Sequence, residues 1–359
     1  MTLGKGQEEI LKNFLEGVFM TDYTLWVGTY TQGESRDDIF RLGFDGKELS
    51  VLESWGGFTD PSYLQPVGGR VFAVEEMEGG GAVIELLPGG GFRRWDIPGS
   101  GYCHIAACGD FLYASGYSGG CLAGLDIKSG RVCEYIEHSG HGPNPDRQEC
   151  AHIHSAQPTP DGRGIFVADL GLDRLFQYRV GADGKLTLHS AQPWVEAGPG
   201  QGPRHFAYSP DGSFLYLVTE MGQTLRTYRY DRGASALEFR NEYPLYIGAP
   251  NPNDTAADIC LSPDGKFIYA SVRGSDRIFC YRVAGDPGVL EAAGDFSSGG
   301  AYPRSIHLSP DGRYLAAANQ LSGNAAVFRR DAESGALSEP VAGIDVPGAV
   351  CVKWAPGFF

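Results

Sequence analysis

The residue types that could do chemistry together in this chain are two histidines, His152 and His154, three arginines, Arg204, Arg273 and Arg304, and the carboxylate of Glu220. An imidazole titrates near neutrality and can take a proton from water. Guanidinium groups grip carboxylates and phosphates and stabilise an oxyanion as it forms, and a carboxylate can orient either partner. These residues are scattered from position 152 to position 304, so local spacing alone cannot assemble them.

A repeat supplies the assembly. Pro-Asp-Gly occurs at 160–162, 210–212, 263–265 and 310–312, separated by 50, 53 and 47 residues. Each turn is followed by a short run rich in β-branched and aromatic residues, such as Phe214-Leu215-Tyr216-Leu217 or Phe267-Ile268-Tyr269-Ala270. Such runs favour a half-buried pleated strand. A third aromatic segment and a fourth strand complete each unit, which makes the unit a four-stranded meander. Degenerate copies precede these four, with Val71-Phe72-Ala73-Val74 and Phe111-Leu112-Tyr113-Ala114 as their second strands, giving six complete units. At the N-terminus Leu25-Trp26-Val27-Gly28-Thr29-Tyr30 matches the second strand of a unit, and at the C-terminus Val350-Cys351-Val352-Lys353-Trp354 matches the first. A chain that starts one strand late and ends on the missing strand describes a ring closed by its own termini, which leaves no open sheet edge. The expected fold is all-β, a seven-bladed β-propeller over residues 22–359, with residues 1–21 as an N-terminal extension.

In such a ring, equivalent positions of successive units form a circle around one axis. Counting eight residues either side of Gly212 pairs Arg204 with Glu220, and the same count pairs His154 with Leu170, Ala257 with Arg273 and Arg304 with Gln320. The first-strand circle reads Asp60, Gly101, His154, Arg204, Ala257, Arg304 and Val350. Its partner reads Glu76, Tyr117, Leu170, Glu220, Arg273, Gln320 and Tyr30. Between these circles and the turns the innermost strands read as apolar, so the expectation is a polar mouth above a packed interior. Three arginines, a histidine and a glutamate on one funnel make a locally basic, concave site suited to a small anion.

Composition excludes several alternatives. Lys+Arg 29 against Asp+Glu 44 leaves a net charge of −15, which disfavours nucleic acid and anionic membrane surfaces as partners. No apolar run is long enough to cross a membrane, and the first 21 residues lack the basic and apolar regions of a signal peptide. Eight cysteines without an export signal read as reduced and mostly as small core residues, consistent with a cytoplasmic protein. Cys103, His104 and Cys108 are a weak ligand set, so no metal is expected, nor any organic cofactor. Gly116-Tyr117-Ser118-Gly119-Gly120 has the pattern of a nucleophile elbow but lies between two strands rather than before a helix. The glycine clusters at 79–81 and 198–202 likewise precede no helix and read as loops.

The polar segment Gly142-Pro143-Asn144-Pro145-Asp146-Arg147-Gln148-Glu149, running into His152-Ile153-His154-Ser155, reads as a loop able to overhang the mouth. Together with Val27-Gly28-Thr29-Tyr30-Thr31, Pro203-Arg204-His205, Ala318-Asn319-Gln320 and Ser322-Gly323-Asn324, it resembles the lactonase family of seven-bladed propellers from about Tyr23 to Phe358. That family includes cycloisomerase-type 6-phosphogluconolactonases and the fungal carboxymuconate lactonizing enzymes. The resemblance implies hydrolysis of a sugar lactone, foremost 6-phosphogluconolactone, without a cofactor. It places the functional His, Arg, Glu and second Arg on His154 (or His152), Arg204, Glu220 and Arg273. Substrate contacts are expected from His152, Arg304, Gln320, Asn319, Glu76 and Tyr117, with Arg304 on a phosphate. A muconate-type lactonizing cycloisomerase and a propeller that only binds a ligand or protein are the competing readings. The early units depart from the pattern, since they lack Pro-Asp-Gly and carry Gly79-Gly80-Gly81.

Overall fold

A computed structural model describes residues 23–31, 34 and 36–355. The expected extension at 1–21 lies outside the described residues. Strands β1 to β29, numbered in chain order, form seven antiparallel sheets arranged as the blades of a propeller. The closing blade runs from C-terminal β29 (Ala349–Ala355), innermost, through N-terminal β1 (Tyr23–Thr29) and β2 (Asp37–Phe44) to β3 (Leu49–Gly56) at the outside. The other innermost strands are β4 (Tyr63–Val67), β8 (Tyr102–Cys108), β12 (Ile153–Pro158), β17 (Pro203–Tyr208), β21 (Thr255–Leu261) and β25 (Pro303–Leu308). The blade that begins with β12 carries an extra short strand, β16 (Trp194–Glu196), paired with β14 (Arg174–Val180). No helix among the described residues is long and apolar enough to cross a membrane.

The Pro-Asp-Gly turns show why these residues were chosen. In each, a Ser or Thr hydroxyl donates to the turn Asp, as Ser209 Oγ does to Asp211 Oδ1 at 2.6 Å, and the same Asp oxygen accepts the Ser213 amide at 3.0 Å. The glycine then takes a left-handed conformation, φ 65° at Gly212 and 70° at Gly265, which a residue with a Cβ tolerates poorly.

Large side chains packed between the blades weld neighbours together. At the closure, Phe44 packs edge-on against Tyr314 (5.0 Å between centroids), and Tyr23 packs against both Tyr314 and Trp354. The eight cysteines are all unpaired; six are buried, while Cys133 is partly buried and Cys150 exposed.

Two expectations need correction. The innermost hairpins are not regular ladders: register shifts fall between Ile153 and Ser155, Pro203 and Phe206, Ala256 and Ile259, and Pro303 and Ser305. His154, Arg204, Ala257 and Arg304 therefore stand at bulges. Arg273 faces Thr255, and the Leu170, Glu220 and Gln320 amides donate to the carbonyls of His152, Gly202 and Tyr302. Each partner is two residues earlier than regular counting gives. A bulge bends its strand and re-aims the extra side chain. In the early blades, Glu76 and Tyr117 donate to Asp60 and Gly101, so Ser62 and Cys103, rather than Asp60 and Gly101, occupy the ring with His154. The interior below the mouth is also not a packed apolar plug. It holds a cavity of about 750 Å³ lined in part by His104, His205, Asp258, His307 and Lys353.

Candidate active site

At the mouth the chemistry converges on Glu220, which directly follows β18 (Phe214–Thr219) and is 3% exposed. Its Oε2 accepts from Arg204 Nε at 2.9 Å and lies 2.9 Å from Arg273 Nη2, while Oε1 accepts from Arg147 Nη2 at 2.5 Å. Burial alone would raise the carboxyl's pKa, but Arg273, Arg204 and Arg147 outweigh it and hold Glu220 ionised well below the usual range. Glu220 is thus a fixed anion that aligns three guanidiniums and is too weak a base to take a proton itself.

Arg204 is buried, with its second anchor in the carbonyl of Ala257 at 2.5 Å, and burial together with Arg273 lowers its pKa to about 10. It remains charged at neutral pH. Arg273 also donates to the Ala256 carbonyl at 3.3 Å, and its guanidinium lies over the Tyr302 ring. Three guanidiniums against one carboxylate, 3 − 1 = +2, leave a surplus positive charge in a protein of net charge −15. Buried surplus charge invites an anion.

His154 sits at its bulge with Nε2 3.9 Å from Glu220 Oε2, too far for a hydrogen bond, and Nδ1 3.8 Å from Cys103 Sγ. Burial, then Arg204, His205 and Arg304, push its pKa well below 6.5, so the imidazole is neutral at physiological pH. His152 is engaged differently. It stacks on Tyr117 at 4.3 Å, its Nδ1 lies 3.0 Å from the Tyr117 carbonyl, and its Nε2 lies 3.3 Å from Glu149. The donor atoms of Glu149, Cys150 and His152 lie within 4.8 Å of one another, a spacing that could hold a cation.

Among the expected substrate contacts, Tyr117 touches the cluster directly, its hydroxyl accepting from Arg147 at 3.4 Å and its ring meeting His154 edge-on. Arg304 belongs to a second chain. It donates to the Tyr30 hydroxyl at 2.6 Å, and Tyr30 donates to Glu76 at 2.8 Å. Gln320 is partly buried with a buried, unpartnered Oε1. Asn319 does not join this assembly: it is fully buried and its Nδ2 donates to the Ser298 carbonyl at 2.9 Å, holding the preceding loop.

Arg147 is the residue that sequence reasoning missed. Its loop was conspicuous, but only the fold shows where the loop lands. Asn144 Oδ1 accepts the amides of Asp146 and Arg147, and the Gln148 Nε2 donates to the Leu170 carbonyl at 2.8 Å, which pins the loop over the mouth.

The chain matches the family described as lactonase, seven-bladed β-propeller, over residues 24–354. It is 30% identical over 353 residues to a 6-phosphogluconolactonase of Bacillus subtilis, covering 93% of this chain and 99% of the relative. A 6-phosphogluconolactonase of Formosa agariphila is 29% identical over 337 residues, 88% of this chain and 94% of that one. Among solved structures, the periplasmic gluconolactonase of Pseudomonas aeruginosa superimposes with a TM-score of 0.85 at 28% identity, covering 93% of this chain and 99% of its own. Taken with the blade closure and the mouth geometry, the full-length match makes this chain a member of the lactonase family of seven-bladed β-propellers.

Proposed function

We propose that the protein hydrolyses a sugar lactone at this mouth, with 6-phosphogluconolactone as substrate and 6-phosphogluconate as product. The observation that carries the reading is a buried, neutral imidazole beside a surplus of fixed guanidiniums. A δ-lactone is an activated ester, so it needs an oriented water, a base and cationic stabilisation of the oxyanion. Water attacks the lactone carbonyl carbon as His154 Nε2 takes its proton. Arg204 and Arg273, aligned by Glu220, stabilise the negative carbonyl oxygen. The ring C–O bond then breaks, and the ring oxygen leaves as a hydroxyl by taking the proton back from the imidazolium. The product is the open-chain hydroxy acid. Arg304 holds the phosphate, and Arg147 closes the mouth over the anion.

A cytoplasmic location is proposed with this chemistry, supported by eight unpaired cysteines. Turnover of a panel containing 6-phosphogluconolactone, glucono-δ-lactone and a carboxymuconate tests the reading. It expects acid release from the lactones, fastest from the phosphorylated one. Activity on the muconate alone, or lactone binding without ring opening, would overturn it.

A further inference from the structure

Below the mouth, towards the Pro-Asp-Gly turns, the axis is filled by a layer of rings. His154 meets His205 at 5.1 Å, His205 meets His104 at 5.4 Å, and His104 packs on Tyr63 at 4.3 Å. Under this layer opens the cavity of about 750 Å³, within the size range of small-molecule sites. The mechanism above uses none of its walls.

Those walls carry more polar capacity than the protein satisfies. His205 is 5% exposed; its Nδ1 lies 2.8 Å from Asp258 Oδ1, and its Nε2 has no partner. His104 is 2% exposed with Nδ1 unpartnered, and the Tyr208 hydroxyl and Trp354 Nε1 are likewise buried and unpartnered. Such groups carry a desolvation cost, and all four residues belong to the cavity wall. The charge balance is also specific. Lys353 is 9% exposed, and its ammonium lies 4.5 Å over the Tyr63 ring without an ion pair among the described residues. Asp258 acts on it through space without a direct bond, because its oxygens already accept from His205, from the Ser305 hydroxyl at 2.9 Å and from the amides of Ile259 and Ile306. Burial alone would discharge the ammonium, but Tyr63 and Asp258 raise its pKa above the ordinary value. Apolar side chains, among them Val67, Ile259, Leu261 and Leu308, line the rest of the cavity and suit a carbon body rather than a bare ion.

We propose that this lower cavity is a second, separate binding site for a small organic anion, whose phosphate or carboxylate head pairs with Lys353. The two sites stand back to back, with His205 touching the upper one through His154 and lining the lower one.

Calorimetric titration of the full chain with inorganic phosphate and with gluconate tests this, each alone and with 6-phosphogluconate saturating the mouth. Binding of phosphate, gluconate or both should persist with the mouth filled, and the anion that binds identifies the head group. The affinity should fall about tenfold or more in Lys353→Met, which keeps the length and loses the charge. It should fall also in Val67→Trp, which fills the cavity opening. Both variants should melt as the parent does and keep lactone turnover; if Lys353→Met fails to fold, Val67→Trp carries the decision. Binding that 6-phosphogluconate displaces completely, persistent binding that neither variant weakens, or no binding of either anion would overturn the proposal. If the mouth should not bind 6-phosphogluconate, the two variants titrated without it still decide the lower site, so the two readings fail separately.

Discussion

Replacing Glu220 by Gln removes one negative charge from a position where three guanidiniums converge. Arg204 and Arg273 are 2% and 4% exposed and cannot turn to water, whereas the Arg147 side chain is 38% exposed and can. The variant amide also presents an N–H₂ group to guanidinium donors. Two buried cations left without their anion should cost about 3 to 5 kcal/mol. At roughly 2 °C per kcal/mol for a chain of this size, the melting temperature should fall by about 6 to 10 °C at pH 7. The pH dependence has a definite sign. The folded carboxyl titrates well below its ordinary 4.5, so its contribution is full above that pH and is lost as the pH falls through the folded value. The stability gap between parent and variant should therefore narrow below about pH 4.5. Lactone turnover, followed by titration of the acid released, should drop by about 10²-fold because Arg204 and Arg273 lose their alignment. A variant that melts within about 1 °C of the parent at pH 7 would show that Glu220 does not compensate the buried guanidiniums.

Other outcomes follow from the same geometry. Arg304→Ala should raise KM for the phosphorylated lactone about tenfold or more while leaving glucono-δ-lactone nearly unchanged; equal losses on both would remove Arg304 from phosphate binding. Deleting residues 349–359 strips the innermost strand from the closing blade and uncovers β1, so the protein should become insoluble or lose its cooperative melt, and an unchanged melt would contradict terminal closure. Burial, aided by Arg204 and other cations, depresses His154 and lowers His205 to about 4, and burial with His205 depresses His104. The unfolded chain therefore binds more protons below about pH 6.5, so stability should be full above that pH and fall by a few kcal/mol, in order of magnitude, towards pH 4, as thermal melts across this range would record. A melting temperature that stays constant or rises between pH 7 and pH 5 would show that these imidazoles are not held neutral.

The sequence made the ring and its polar columns legible because Pro-Asp-Gly marks the same point in four blades, so residues counted from it fall on equivalent positions. Glu220 and Arg273 share a column for that reason. The bulges were not legible, because Arg204 and His205 have nothing in their residue types that marks an extra residue in the ladder, and the pairing was counted two residues late. Where the turn motif is lost, the frame slipped by two, and Gly101 stood in for Cys103. Arg147 was hidden by its loop, whose landing depends on the hydrogen bonds of Asn144 and Gln148. Lys353 and His307 were hidden by their apolar neighbours in sequence, although the pleat turns them to the axis.

In the proposed reaction the neutral imidazole of His154 activates water for lactone opening. That role is decided by kcat for 6-phosphogluconolactone in the parent and in His154→Ala, at equal fold stability and with product affinity measured alongside. Turnover in His154→Ala should fall by roughly 10² to 10⁴ in kcat with 6-phosphogluconate still bound, and much less in His152→Ala. Undiminished turnover in His154→Ala, with the loss appearing in His152→Ala or in neither, would contradict it.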